Sequence, residues 1–224
     1  MRAPNGIVFL LDCDNTLLDN DRVQQDLRRH MEQQFGLDSA ARYWALFEQL
    51  RTELGYADYL GALQRYRDQG VCDMRLLRMS AFLLDYPFRE RLYPGALQAI
   101  AHLDAYGTCV MLSDGDVVFQ PHKVERAGLW QALDGRVLIY IHKERMLDEV
   151  ARRYPAAHYV FVDDKPRLLD AIKRQWGERV TTVFARQGHY ALAPPNDALL
   201  APDVTVSAIA ELIDLDLASL RVRG

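Results

Sequence analysis

The sequence predicts an α/β fold, a doubly wound parallel sheet interrupted once by a run of helices. Five short apolar runs carry the sheet: "IVFLL" (7–11), "TCVML" (108–112), "VLIYI" (137–141), "HYVFV" (158–162) and "VTTVF" (180–184). Each is nearly continuous rather than alternating, as strands covered on both faces are. Helical patterns fall between them, over 95–106, 117–127, 144–154 and 167–176, the alternation that builds parallel sheets. Between the first and second strands there is instead a stretch with four helical patterns, 23–35, 39–54, 56–69 and 74–84, and no strand.

This order divides the chain into an α/β core domain, 1–18 and 93–224, and an inserted helical cap domain, 19–92. The run Tyr93-Pro94-Gly95 marks the return to the core, with Pro94 placed to open the next helix. At 224 residues, half of them apolar, the chain is long enough for a well-buried domain plus such an insertion. A net charge of −4 with no Lys/Arg run argues against a nucleic-acid partner. The three cysteines, Cys13, Cys72 and Cys109, are scattered and read as reduced thiols rather than a disulfide framework or a zinc site. The first apolar run meets Asp12 too soon for a signal-peptide core, and no stretch approaches the roughly 18 apolar residues of a membrane span. The expected setting is cytoplasmic, without a membrane partner.

The strand ends hold the chemistry. Asp12 and Asp14 follow the first strand, Ser113 the second, Lys143 the third, and Asp163 with Asp164 the fourth. In open α/β sheets these carboxyl ends line one crevice, so residues distant in sequence converge there. Residues i and i+2 of a strand share a face, which turns Asp12 and Asp14 the same way and Cys13 back toward the core. Two like charges 4 Å apart repel by about 4 kcal/mol at an effective dielectric of 20. Four gathered carboxylates therefore call for a cation, and an all-oxygen set favours Mg²⁺. A calcium loop starting at Asp12 is excluded, because its sixth and twelfth places hold Leu17 and Val23 instead of Gly and Glu. With a hydroxyl, an ammonium and helix N-termini to hold phosphate oxygens, the parts point to phosphoryl transfer.

With "DCDNT" as a D-x-D-x-T motif, "LSDG" as a second, Lys143 as a third and "VFVDD" as a fourth, the chain resembles the haloacid dehalogenase (HAD) superfamily over nearly its whole length. The resemblance implies a Rossmann-like core with a cap inserted after the first strand. It also implies a Mg²⁺-dependent phosphatase acting on a small phosphorylated metabolite. Asp12 would be the nucleophile that forms an aspartyl-phosphate. Asp14 would be the general acid and base, with its backbone carbonyl on the metal. Thr16 would hold the loop geometry. Ser113, Asp114 and Gly115 would bind the phosphate, Lys143 would neutralise the nucleophile and phosphate, and Asp12, Asp14, Asp163 and Asp164 would form the metal site.

Two departures stand out: Asp114 where many relatives have Asn, adding negative charge with Asp116 near a phosphate site, and Glu144 where Pro often follows the lysine. Lys165 also lies at a strand end and is expected to be solvated or a substitute for Lys143. Asp163 and Asp164 could also cap the helix that follows, which is compatible with metal binding, His142 reads as a surface group, and Arg51, Tyr56, Tyr59 and Arg65 read as core or solvated helix positions. The same fold also serves 2-haloacid dehalogenases, which need neither the second aspartate nor a metal, and phosphomutases. A non-catalytic scaffold would be expected to have lost Asp12 or Asp14, and both are present. Monomer and homodimer are both compatible with the sequence. Crowding of the acids predicts that Asp12→Asn leaves the metal-free fold at least as stable.

Overall fold

The computed structural model describes residues 6–69, 74–194 and 196–216. Six strands, β1 (Ile7–Leu11), β2 (Thr108–Asp114), β3 (Val137–Tyr140), β4 (His158–Asp163), β5 (Val180–Ala185) and β6 (Val204–Val206), form one sheet ordered β3-β2-β1-β4-β5-β6. Every neighbouring pair is parallel. The chain runs outward from β1 through β2 to β3 and then crosses back to β4 on the other side of β1. Winding thus reverses at β1, the point where such sheets open a ligand crevice.

Helices α1 (Asn20–Phe35), α2 (Leu37–Leu54), α3 (Tyr59–Asp68) and α4 (Arg75–Leu84) make up the insertion after β1. In the remainder, α5 (Ala96–Asp104), α6 (Phe119–Arg126), α7 (Leu129–Ala132), α8 (Leu147–Arg153) and α9 (Pro166–Trp176) connect the strands. Alternate strand residues enter two apolar clusters. Ile7, Phe9 and Leu11 meet Met111 and Val162 on the face covered by α5, α6, α7 and the insertion. Val8 and Leu10 meet Leu112 and Phe161 on the face covered by α8 and α9. Cys13 continues the first set and is buried, as its parity requires. Cys13 and Cys109 are free thiols, and Cys72 lies outside the described residues.

The insertion is tied to the sheet by a continuous run of rings. Tyr43, Trp44, Phe47 and Tyr59 stack or meet edge-on within the insertion, and Tyr59 then meets Phe119 of α6 at 5.5 Å between centroids. Phe88 also meets Phe119 edge-on, at 5.8 Å. Such pairs add about 0.5–1.5 kcal/mol each beyond their buried area. No helix among the described residues is long and apolar enough to cross a membrane.

Local chemistry moves several element ends from where the apolar pattern puts them. The Asp58 carboxylate accepts the Gly61 N–H at 2.7 Å, so α3 begins at Tyr59 rather than at 56. The Asp116 carboxylate takes the Val118 and Phe119 N–H groups at 2.8 and 2.6 Å, which delays α6 to Phe119. Residues Lys143–Arg145 wind as a tighter 3-10 turn, so α8 starts only at Leu147. Pro94 does not open α5, which starts at Ala96 behind Gly95. Gly95 has φ 82°, and a Cβ there would sit 2.6 Å from the Ala210 Cβ. The strands β2 and β4 run past their apolar residues, so that Ser113, Asp114 and Asp163 lie within the ladder opposite Ile139, Tyr140 and Phe184.

Elements α7 and β6, four and three residues long, are too short to show a period and were not expected. The sixth strand is pinned by Asp203, which precedes it. Its carboxylate accepts the Thr182 N–H at 2.7 Å, the Thr182 hydroxyl at 2.9 Å and the Lys173 ammonium at 3.0 Å. Burial alone would raise this carboxyl, but the Thr182 N–H and Lys173 hold it below its ordinary 3.8. A depressed acid contributes stability that is present above its unfolded pKa and is lost as pH falls through the folded value. Asp203→Ala should therefore cost about 1–3 kcal/mol at neutral pH. In urea denaturation the gap between the two proteins should narrow as pH falls below about 4.

Candidate active site

Where β1 ends, Asp12 continues the ladder for one residue by donating its N–H to the Val162 carbonyl at 3.0 Å. The chain then turns, and the Cys13 carbonyl accepts the N–H groups of Leu17 and Leu18 at 2.9 and 3.0 Å. Asn15 takes the left-handed conformation at φ 59°, which asparagine tolerates better than most residues. Its side-chain amide exchanges hydrogen bonds with Asp21 of α1: it donates to the carboxylate at 2.9 Å and accepts the Asp21 N–H at 3.1 Å. The Thr16 hydroxyl is buried and lies 3.4 Å from Asp12 Oδ2.

Lys143 is fully buried at the centre of the acids. Its Nζ donates to Asp12 Oδ1 at 2.5 Å, to Asp163 Oδ2 at 2.6 Å and to the Leu112 carbonyl at 3.2 Å. Burial by itself would discharge this ammonium, but the charges of Asp12, Asp163 and Asp114 outweigh it and raise its pKa. Burial opposes ionisation of Asp12 as well, and there Lys143, followed by Lys165, prevails and lowers the carboxyl. For Asp163 burial prevails and the carboxyl is raised. Between the two lysines, Lys143 is therefore the one that touches Asp12. Lys165 is half-buried beside the cleft, and its backbone N–H donates to Asp163 Oδ1 at 2.8 Å.

Asp164 is the exception among these acids. Both of its carboxylate oxygens are buried without a hydrogen-bond partner. Burial first, and then the charges of Asp163 and Asp12, push its carboxyl up to about 9. It does not cap α9, whose first residue is Pro166 and which has no side-chain cap. One oxygen each from Asp12, Asp163 and Asp164 lie within 4.8 Å of one another. Buried oxygen donors, two of them orphaned, are the donor set that suits a hard divalent cation.

The Asp14 side chain is not part of that group. It turns toward α6, where Lys123 Nζ meets its two oxygens at 2.5 and 2.7 Å. Gln120 Nε2 lies 3.4 Å from the same carboxylate, and Lys123 also donates to Asn20 of α1 at 3.3 Å. The expected repulsion between Asp12 and Asp14 is thus resolved by two buried lysines, one for each acid. Lys123, Gln120 and Asn20 were not anticipated. The one signal in the sequence is a lysine and a glutamine on the apolar stripe of α6, beside Phe119 and Val124.

The second motif is arranged differently from expectation. The Ser113 hydroxyl is buried, accepts from Gln120 Nε2 at 3.0 Å and donates to the Asp114 carbonyl at 3.2 Å. The Asp114 carboxylate accepts the Lys143 backbone N–H at 2.8 Å, so this acid sets the turn that carries the lysine. The Gly115 N–H is spent on the Tyr140 carbonyl at 2.9 Å. The Asp114 carboxylate and the Gly115 N–H are therefore engaged in holding β3 and its following turn. His142 is half-exposed and packs under the insertion, where a Cβ on Gly55 would come 2.6 Å from its ring.

A cleft of about 580 Å³ opens between α1 and α2 on one side and the strand ends on the other, and Asp14, Asp114 and Lys165 reach it. The loop after β5 closes one edge, where His189 donates its N–H to Asp21 at 2.7 Å and its ring Nδ1 lies 2.8 Å from the same carboxylate.

No protein-family model matches the chain, and no curated protein matches it either. Solved structures do. A haloacid dehalogenase-like hydrolase from Burkholderia xenovorans LB400 is 63% identical, with 95% of this chain and 100% of that chain covered and a TM-score of 0.90. The HAD-hydrolase YfnB from Bacillus subtilis, crystallised bound to magnesium, is 14% identical, with 94% and 98% covered and a TM-score of 0.63. The L-2-haloacid dehalogenase PA0810 is 19% identical, with 94% and 98% covered and a TM-score of 0.59. The two distant structures share the fold, and the 63% identity over essentially the whole of both chains goes further: this chain belongs to the haloacid dehalogenase-like hydrolases.

Proposed function

We propose that this hydrolase is a Mg²⁺-dependent phosphatase that acts on a small phosphomonoester through an aspartyl-phosphate on Asp12. The observation that carries the reading is the pairing of a buried three-acid group, in which Asp164 has both oxygens unpartnered, with a second aspartate, Asp14, that is held separately and remains open to the cleft. A dehalogenase needs neither feature. The magnesium bound to the distant YfnB is in keeping with the reading.

Asp12 Oδ1 is fixed by Lys143, which leaves Oδ2, facing the Thr16 hydroxyl, to attack phosphorus. Lys143 keeps Asp12 ionised and offsets charge on the transferring group. Asp14 delivers the proton to the leaving oxygen and takes one from the water that later opens the acyl-phosphate. Lys123, Gln120 and Asn20 hold this carboxylate in place for both steps. Ser113, locked by Gln120, presents its oxygen beside the same group. Asp12, Asp163 and Asp164, with the Asp14 backbone carbonyl, would hold Mg²⁺, which when bound draws charge from the phosphate oxygens.

Hydrolysis of an aryl phosphate should require Mg²⁺, stop in EDTA and be lost in Asp12→Asn. Halide release from a 2-haloacid by the metal-free protein would instead assign the dehalogenase reaction. Lys143→Met should lose at least about a hundredfold in turnover, as removal of an electrostatic stabiliser does, while Lys165→Met should lose much less. An inverted order would move the neutralising role to Lys165.

The acid that the metal-free fold can spare is Asp164 rather than Asp12, because Lys143 needs Asp12 as a partner and a buried charge left alone is costly. Melts in EDTA should therefore show Asp164→Asn at least as stable as the parent and Asp12→Asn less stable. Mg²⁺ should raise the parent's melting temperature by linkage and raise that of Asp164→Asn less.

A further inference from the structure

The cleft is lined by several basic side chains. Arg28, Arg51, Lys165 and Arg167 all line it. Its acids, by contrast, are already engaged: Asp14 by Lys123, Asp21 by His189, and Asp114 by the Lys143 N–H. Among the bases, Arg51 lies 3.5 Å from Glu48, with both side chains largely exposed. Arg28 has no carboxylate within ion-pair distance among the described residues, and its guanidinium lies 4.6 Å over the Trp44 ring.

Trp44 supplies an independent sign. It is 5% exposed and lines the cleft, and its indole N–H is buried without a partner. A buried indole N–H ordinarily finds an acceptor, and leaving one unmade costs about 1–3 kcal/mol. The ring is wedged edge-on between Tyr43 and Phe47 at 5.4 and 5.2 Å, which opposes any turn toward another acceptor. A guanidinium that stacks on a ring but has no carboxylate, and beside it an indole N–H that has no acceptor, lack the same thing, an anionic oxygen.

We propose that Arg28 and Trp44 form a second anion subsite, so that the preferred substrate is a phosphomonoester carrying a further anionic group, a carboxylate or a second phosphate. This rests on the phosphatase reading above. Asn20, which meets Lys123 beside Asp14, and Arg28 lie on the same helix. Eight residues of helix separate their backbones by about 12 Å, which sets the scale of the spacing between the second group and the reacting end. A compact monoester with a neutral tail would leave the subsite unused.

Binding of non-hydrolysable phosphonates tests this apart from turnover. Isothermal titration in Mg²⁺ would compare straight-chain phosphonates spanning roughly 12 Å that end in a carboxylate, a second phosphonate or a neutral amide. An anionic end should bind at least about tenfold more tightly than the amide, with the advantage shrinking as salt is added. The carboxylate and phosphonate arms tell the two substrate classes apart. Arg28→Gln should erase the advantage while leaving the amide probe's affinity unchanged, and Trp44→Phe, which keeps a ring and removes the N–H, should reduce it. Equal binding of anionic and neutral probes, or an advantage that survives in Arg28→Gln, overturns the subsite. If the advantage is present and yet no phosphomonoester is hydrolysed, the subsite stands and the phosphatase reading falls.

Discussion

One buried ammonium holds the site together. Lys143 lies where the carboxyl ends of β1, β2 and β4 come together, bonded to Asp12, to the Leu112 carbonyl and to Asp163. Sheet topology brings these groups to one point: β1 and β4 are neighbours with Leu11 opposite Val162, so the acids that follow them meet side by side. Stripping an ammonium of water costs several kcal/mol, and only partners this close repay it. Removing one partner leaves the remainder uncompensated, which typically costs about 3–5 kcal/mol. The same contacts that keep Asp12 ionised also lock the strand ends, so stability and chemistry draw on one set of atoms.

A second ion pair divides the labour. Asp14 would compete for Lys143 if it turned inward, but Lys123 draws it toward α6 and the cleft, where its side chain keeps 23% exposure. Lys123 also reaches Asn20, and Asn20 in turn donates to the Tyr59 hydroxyl at 3.4 Å. Asp14 is therefore linked through Lys123 to Asn20 of the helical insertion, whose rings pack onto Phe119 of the same α6. A shift of the insertion over the sheet would be felt first at this carboxylate. Asp12, bonded only to the sheet side, is insulated from it.

Five of the six strands among the described residues are legible in the sequence because a strand buried on both faces must be apolar throughout. Their ends were less so, since backbone pairing carries β2 to Asp114 and β4 to Asp163, past the last apolar residue. Asp12, Lys143, Asp163 and Asp164 could be placed together from strand ends alone. Lys123 and Gln120 could not, because on a helix face they resemble any amphipathic interruption until the sheet behind them is known. The resemblance assigns Asp114 and Gly115 to phosphate, yet the Asp114 carboxylate is bonded to Lys143 and the Gly115 N–H to Tyr140, and a sequence does not display which groups are already taken. The expectation for Asp12→Asn changes for the same reason: crowded acids suggest relief, whereas a lysine pointed at one of them predicts loss.

The net charge of −4 describes the chain and misdescribes the cleft. Asp12 and Asp14 are paired with the buried Lys143 and Lys123, and Asp21 accepts the His189 backbone N–H. The arginine stacked on Trp44 has no carboxylate within ion-pair distance among the described residues, so its field extends into the opening. Low-dielectric walls focus a field of this kind and raise the local concentration of anions. Local pairing, rather than composition, thus sets the sign of what the site attracts. An acidic protein can still offer a ligand an unpaired cation because folding chooses which of its charges are cancelled.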